Sequence, residues 1–313
     1  MNNYNHRITV FTPTYNRAHT LERLYKSLQA QTFTDFEWLV IDDGSTDGTK
    51  DHFEKWLEEK NIFPIRYYLK ENGGKHTAIN EGLDKAQGEL FFTADSDDYL
   101  TTDALEKVNI WSSSVPANEK FCGVVGNMGY TTIETPNTIY RCEWRDATLL
   151  ERYPEFSKTP IDGERALVFF TDIHRKYKYP IFESEKFMTE AITWNRMAND
   201  GYKMRFYNDI IYIYKFLPNG LTLSGSKIFI NNPKGYALWL REKMEFCNYS
   251  FFRKLKMYYS YFLTQENELT TKEIADNIGV GYWLIALLPY LNSIKKIKSP
   301  LIILSLLINC TLA

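Results

Sequence analysis

Cysteine is scarce in this chain and never paired in sequence. Cys122, Cys142, Cys247 and Cys310 lie far apart, with no C-x-x-C and no histidine nearby at metal-ligand spacing. A disulfide framework is therefore not expected, and the pattern suits a reducing, cytoplasmic compartment. Charge of one sign is also lacking. The net charge of −2 gives no polyanion-binding signature across the chain, and no nucleic-acid partner is expected. No apolar run reaches the roughly 18–20 residues of a spanning helix. Met1 to His6 is polar and has no charged-then-apolar leader pattern. Internal repeats and low-complexity tracts are missing as well.

What is present is an ordinary apolar share of 44%, ample for a core, and a high aromatic share of 16%. Aromatics serve a large core as well as they serve stacking on bases and sugars, so that share decides little.

The first third alternates strand and helix signals. Arg7–Thr12, Phe36–Ile41, Ile65–Leu69 and Leu90–Ala94 read as short, continuously apolar strands. Between them, Leu21, Leu24, Tyr25 and Leu28 follow the i, i+3, i+4, i+7 spacing of an amphipathic helix with Thr20 as its cap. Phe53, Trp56 and Leu57 mark a second helix, and Ile79, Leu83 and Ala86 a third. Ala104, Leu105, Val108 and Trp111 mark a fourth. Buried strands separated by helices predict a mainly parallel sheet flanked by helices, an α/β class. After about Phe121 the rhythm changes. Phe121–Thr132 and Thr138–Trp144 read as a hairpin pair. Phe187, Ala191, Trp194 and Ala198 read as one helix stripe, and Lys203–Phe216 as a long strand. From Pro233 on, the pattern is mostly helical.

In parallel sheets, ligands sit beyond the carboxyl ends of the strands. Three polar clusters fall there: Pro13-Thr14-Tyr15-Asn16-Arg17, Asp42-Asp43-Gly44-Ser45-Thr46-Asp47 and Asp95-Ser96-Asp97-Asp98. Carboxylates at i and i+2 on a tight turn can reach one hard divalent cation, Mn²⁺ or Mg²⁺, leaving positions for phosphate oxygens. Alone, such a turn reads first as a solvated acidic turn that caps the next helix, with Asp97, Asp98 or Asp103 as caps. Its alignment with the other clusters favours the metal reading. The Asp42 cluster needs a strand-to-helix turn, with a positive φ at Gly44 and Thr46 or Asp47 as cap. A carboxylate there can also accept a hydrogen bond from a base N–H. Tyr15 suits a base and Arg17 a phosphate. Asn72-Gly73-Gly74-Lys75 places a glycine turn and a lysine before a helix, a natural anion contact that lacks P-loop spacing.

Together the stretches Ile8–Arg17, Gln31–Asp47, Asn72–Gly82 and Gly88–Leu100 resemble the inverting family 2 glycosyltransferases with the A-type, Rossmann-like fold. The likeness is strong over residues 5–115 and weaker to about 220. It implies a catalytic domain over 1–225, with a nucleotide-sugar-binding half at 1–115 and an acceptor half at 116–225. A helical C-terminal extension follows over 226–313. It places Pro13, Thr14, Tyr15 and Asp43 around the nucleobase, with Asp42 able to share that role. Asp95 and Ser96 fall by the ribose and diphosphate, Lys75 near the nucleotide, and Asp97 as principal metal ligand with Asp95 beside it. The implied donor is a nucleotide-sugar, a UDP-sugar by preference. The implied acceptor is a hydroxyl of a glycan or lipid-linked glycan.

An inverting transfer needs a general base on the acceptor side. The family places an acidic pair at a helix start, with an arginine six residues beyond the second acid. Glu190 stands six before Arg196 and is the candidate base, although Thr189 replaces the usual first acid. Glu183 and Glu185 are the fallback candidates. Two rivals remain: a non-catalytic nucleotide-sugar-binding scaffold, and a sugar nucleotidyltransferase. The latter is disfavoured by Thr12-Pro13-Thr14-Tyr15 in place of a glycine-rich basic loop.

The tail supports two readings. Gly279–Leu291 and Pro300–Ala313 are apolar, with Lys295-Lys296-Ile297-Lys298 between them. They are either interfacial segments at 279–313, holding the chain peripherally on the inner face of a membrane, or ordinary core or dimer helices. Oligomeric state stays open.

Overall fold

The computed structural model describes residues 4–215 and 225–294. The chain divides into two compact units, Met1–Leu223 and Ser224–Ala313.

The first unit is a mixed α/β structure around one nine-stranded sheet. Its first half runs β1 (His6–Thr14), α1 (Ala18–Gln29), β2 (Phe36–Asp42), α2 (Thr49–Glu58), β3 (Ile65–Leu69), α3 (Lys75–Lys85), β4 (Gly88–Thr93), β5 (Tyr99–Leu100) and α4 (Ala104–Ser114). Then come β6 (Phe121–Gly129), β7 (Trp144–Ala147), a 3₁₀ turn (Leu149–Arg152), β8 (Arg165–Phe170), α5 (Thr171–His174), α6 (Ala191–Asn199) and β9 (Lys203–Ile213). The strand order is β3-β2-β1-β4-β8-β6-β9-β5, with β7 on β9. Strands β3, β2, β1 and β4 are parallel, and β8 is antiparallel to both β4 and β6. The chain walks outward from β1 to β2 and β3, then returns to β4 on the other side. That reversal opens a crevice at the carboxyl ends of β1 and β4.

Alternation along β1 divides the core. Ile8 and Val10 join Leu21, Leu24, Leu28, Trp38, Phe53, Leu105 and Val108 in one buried cluster. On the opposite face, Phe11 stacks on Phe91 with centroids 4.9 Å apart. There Gly82 of α3 lets that helix approach: a Cβ at Gly82 would come within 2.3 Å of the Phe11 ring. The same face carries a buried acid. Glu37, with no exposure, accepts hydrogen bonds from Thr9 Oγ1 at 2.7 Å, the Gln87 amide at 2.6 Å and Arg66 at 2.8 Å.

The structure corrects several sequence expectations. Thr20 is not the cap of α1. Arg17 holds that position, and the Thr20 hydroxyl donates back to the Arg17 carbonyl at 3.1 Å. The residue at the cap of α2 is Gly48, while the Asp47 carboxylate accepts from the Thr49 amide at 3.0 Å. Residues 121–132 and 138–144 do not form a hairpin. β6 pairs with β8 and β9, and β7 begins only at Trp144 and pairs with β9. Local alternation does not reveal a partner that lies 80 residues away. Phe187 precedes α6, whose buried face is Ile192, Thr193, Asn195, Met197 and Ala198; Trp194 lies beside that face, half-buried.

The second unit holds α7 (Lys227–Ile230), α8 (Pro233–Phe246), α9 (Phe251–Gln265), α10 (Thr271–Ile278) and α11 (Tyr282–Ile294). Thr270 and Glu273 form a capping box at the start of α10, and Gly279 ends it in the left-handed region at φ +74°. Among the described residues no helix is long and apolar enough to cross a membrane, and Cys122, Cys142 and Cys247 are free thiols. The lysine cluster and the segment Pro300–Ala313 lie outside the described residues.

Candidate active site

The sheet brings the three polar clusters to one edge. Thr14 and Asp42 are register partners, and the Asp43 amide donates to the Thr14 carbonyl at 2.8 Å. On the other side the Ala94 amide donates to the Phe11 carbonyl at 2.8 Å, so Asp95 follows β4 where β1 is ending.

The first loop is tied to the second. Asn16, at φ +52°, donates its amide to Ser45 Oγ at 2.8 Å and accepts from the Thr46 amide at 2.8 Å. Pro13 and Thr14 are buried; Tyr15 is 48% exposed and stands over the edge. Thr14 Oγ1 is buried without a hydrogen-bond partner.

The two neighbouring aspartates differ in what they hold. Asp42 faces inward: its carboxylate accepts from the Ser45 amide at 2.8 Å and the Tyr67 hydroxyl at 2.6 Å, closing the turn in which Gly44 takes φ +86°. Burial and this carboxylate raise the Tyr67 pKa. Asp43 faces the glycine turn. It accepts from Lys70 at 2.7 Å, the Gly73 amide at 2.9 Å and the Gly74 amide at 2.7 Å. Lys70 has no motif signal; it emerges only because β3 ends opposite Asp43.

The acidic turn after β4 is fixed from three sides. Arg23 of α1 donates to the Asp97 carbonyl. The Asp98 amide donates to the Asp95 carbonyl at 3.1 Å. Tyr212 of β9 accepts from the Asp95 amide at 2.8 Å and donates to the Asp98 carboxylate at 3.0 Å. Burial, with the charges of Asp95 and Asp97, pushes Asp98 up to about 7 against those hydrogen bonds. Sequence reading gave Asp98 only a capping role and missed Tyr212, which lies in an unremarkable aromatic strand. Ser96 is buried within the turn. The Asp97 carboxylate has Arg17 Nε at 3.9 Å, and its pKa is raised by burial and by Asp95.

Lys75, the first residue of α3, spans the cleft. Its ammonium lies 2.8 Å from Asp95 Oδ1 and 2.8 Å from Glu190 Oε1. Burial lowers its pKa, but the two carboxylates outweigh this and hold it well above the ordinary value. Glu190 stands at the N-cap of α6. The segment leading to it is pinned by Asn80, which exchanges two hydrogen bonds with the Tyr179 backbone at 2.9 and 2.8 Å. Gly74, at φ +91°, packs against this segment so closely that a Cβ would fall 1.9 Å from the Lys186 carbonyl oxygen. Of the fallback acids, Glu183 is exposed and Glu185 buried.

A crevice at a sheet reversal, with an acidic turn on one wall and a lysine-held glutamate on the other, defines an α/β ligand-binding enzyme architecture. Comparison with known proteins specifies it. The model of Glycosyl transferase family 2 matches residues 9–109. A GalNAc(5)-diNAcBac-PP-undecaprenol β-1,3-glucosyltransferase of Campylobacter jejuni is 31% identical over 229 residues, covering 71% of this chain and 69% of that protein. Two solved structures share the fold. TarS 1–349 of S. aureus in complex with UDP has a TM-score of 0.57 at 19% identity, covering 82% of this chain and 70% of that one. A mannosyltransferase of Pyrobaculum calidifontis, in complex with GDP-Man and Mn²⁺, has a TM-score of 0.51 at 19% identity, covering 99% and 81%. The chain belongs to glycosyltransferase family 2, with an A-type fold, and is a glycosyltransferase.

Such folds imply a divalent cation. Among the described residues no three or more His, Cys, Asp or Glu side chains form a cluster able to hold a metal ion. That is compatible with a magnesium or manganese site that takes one or two carboxylates and draws its other ligands from phosphates and water. The Asp97 carboxylate, crowded by Asp95 and 3.9 Å from Arg17 Nε, fits that part.

Proposed function

We propose that this enzyme moves a sugar from a UDP-sugar to a hydroxyl of a glycan or lipid-linked glycan, with inversion and with Glu190 as general base. Residues 1–115 form the donor half, 116–225 the acceptor half and 226–313 a helical extension. The observation that carries the reading is the Lys75 bridge, which joins the acidic turn to Glu190 across the cleft at 2.8 Å on each side.

In this reading Pro13, Thr14, Tyr15 and Asp43 surround the nucleobase, and Asp42 supports them by holding the turn. Arg17, Ser96 and Asp95 flank the diphosphate and ribose. Asp97, with Asp95 as a second ligand, holds Mn²⁺ or Mg²⁺, which would offset the charge of the leaving diphosphate. The acceptor hydroxyl attacks the anomeric carbon from the face opposite the diphosphate. Glu190 takes its proton as the new bond forms, an effect worth ~10²–10⁴-fold. Lys75, 2.8 Å from that carboxylate, holds it in position.

The Campylobacter relative's named substrate is undecaprenol-linked, which supports a lipid-linked acceptor here. Exposed Tyr282 and Trp283, at 46% and 75% exposure on α11, suit an interfacial contact at the start of the 279–313 segment, on the inner face of a membrane. Sedimentation with anionic liposomes tests this. Equal binding of the Trp283→Ala/Tyr282→Ala variant would count against it.

The decisive assay follows UDP release from a UDP-sugar panel with Mn²⁺ across an acceptor panel. Asp97→Ala should abolish release. Glu190→Gln should retain UDP binding and lose turnover. Full turnover in either variant would overturn that residue's role. UDP-sugar binding without turnover in the unsubstituted protein would favour a scaffold.

A further inference from the structure

The segment 116–225 contains a cation that no acid bonds to directly. Arg152 ends the 3₁₀ turn Leu149–Arg152, whose backbone is fixed by a capping box between Thr148 and Glu151. The turn packs on α6. The Arg152 guanidinium lies over the Trp194 ring, 5.0 Å from its centroid. The Trp194 helix is tied to the same segment by Asn195, which donates to the Tyr153 hydroxyl at 3.2 Å. Neighbouring arginines have acids: Arg145 donates to Glu151 at 2.7 Å, and Arg165 to Asp162 at 2.9 Å. Among the described residues Arg152 makes no hydrogen bond or ion pair. Glu164 and Glu190 lie within its electrostatic reach but neither bonds to it, and Glu190 is held by Lys75.

A half-buried guanidinium without a partner gives up hydration and gains only its ring contact. Its planar fork matches the paired oxygens of a phosphate or carboxylate. Half-buried Trp194, under the guanidinium, supplies an aromatic wall to the same place. We propose that Arg152 and Trp194 form an acceptor subsite that takes an oxyanion, phosphate ester or carboxylate, borne on the acceptor glycan beside Glu190. The subsite would make the enzyme selective for an anionic acceptor. The inference rests on the reading of 116–225 as the acceptor half.

The test uses the full chain preloaded with UDP and Mn²⁺. Binding of methyl glucoside, methyl glucoside 6-phosphate and methyl glucuronide is titrated by ligand-observed NMR, with UDP signals followed in the same tube. One or both charged glycosides should bind about 10-fold or more tightly than the neutral one, the scale of a charge-assisted hydrogen bond. The two charged arms identify which oxyanion is preferred. Arg152→Gln should erase the difference, Arg152→Lys should keep part of it, and Trp194→Leu should weaken all three ligands. Equal binding of charged and neutral glycosides would overturn the proposal, as would an undiminished preference in a folded Arg152→Gln. Loss of UDP binding in the unsubstituted chain would instead sink the donor-site reading.

Discussion

The Lys75 ammonium lies 2.8 Å from the Glu190 carboxylate, and it reaches that carboxylate from the helix that begins at the glycine turn beside Asp43. A residue at the start of α3 therefore helps set the position of the candidate base. Lys75→Met removes this charge while keeping the length of the side chain. Glu190 and Asp95 then face each other without a cation between them. Turnover should fall about 10–100-fold, the scale seen when partners that orient a working group are lost. UDP affinity should fall less than kcat. A kcat unchanged from the unsubstituted enzyme would mean that the bridge is idle in the working state.

The first four strands and the polar loops after them were legible because each polar cluster closes an apolar strand. Pro13 to Arg17, Asp42-Asp43 and Asp95 to Asp98 all sit where a parallel strand stops. What could not be read was long-range pairing. β6 and β7 look like consecutive strands of a hairpin, yet both lie against β9, far along the chain. Tyr212 and Lys70 were missed for the same reason. Each gains its role from a neighbour distant in sequence, Tyr212 from Asp95 and Asp98, and Lys70 from Asp43.

Glu37 gives a stability prediction. Its carboxylate is fully buried and satisfied by Thr9, the Gln87 amide and Arg66. Glu37→Ala leaves Thr9 Oγ1 and the Gln87 amide without this acceptor, while Arg66 keeps the Lys85 carbonyl and the Tyr68 hydroxyl. The cost should be about 1–3 kcal/mol, the scale for buried donors that lose their acceptor. Urea denaturation measures it. A loss below about 1 kcal/mol would show that water enters and replaces the carboxylate.

His174 predicts an acid sensitivity. Both ring nitrogens are buried without partners, among Phe91, Phe169 and Tyr179. Burial lowers its pKa from 6.5 to about 3. His76 shifts the same way, from 6.5 to about 4, through burial and Lys70 against Asp43. The folded state thus binds fewer protons than the unfolded chain at pH values between these limits. Each group's stabilising contribution is whole above pH 6.5 and drains away as the pH falls toward its folded value. The slope is at most about 1.4 kcal/mol per pH unit per group. His174→Leu should flatten the decline in Tm between pH 7 and pH 5. An equal decline in both proteins would place the sensitivity elsewhere.

Gly74 and Gly73 form a paired test of how the glycine turn supports the base. Gly74 combines φ +91° with a Cβ position 1.9 Å from the Lys186 carbonyl oxygen, so Gly74→Ala meets both backbone strain and backbone atoms. At Gly73 an added Cβ meets Thr77 Oγ1 at 2.8 Å and Lys70 Nζ at 3.2 Å, side-chain ends that can turn aside. Gly74→Ala should therefore cost at least about 1–3 kcal/mol, the range for a strained φ/ψ. It should also displace the segment that leads to Glu190, lowering kcat well beyond what the stability loss explains. Gly73→Ala should be much milder in stability. Thermal melts and UDP-release assays on the two variants separate these effects. If Gly74→Ala proved as active as Gly73→Ala, the segment before Glu190 would be free to yield, and its position would be set by the Lys75 ion pair alone.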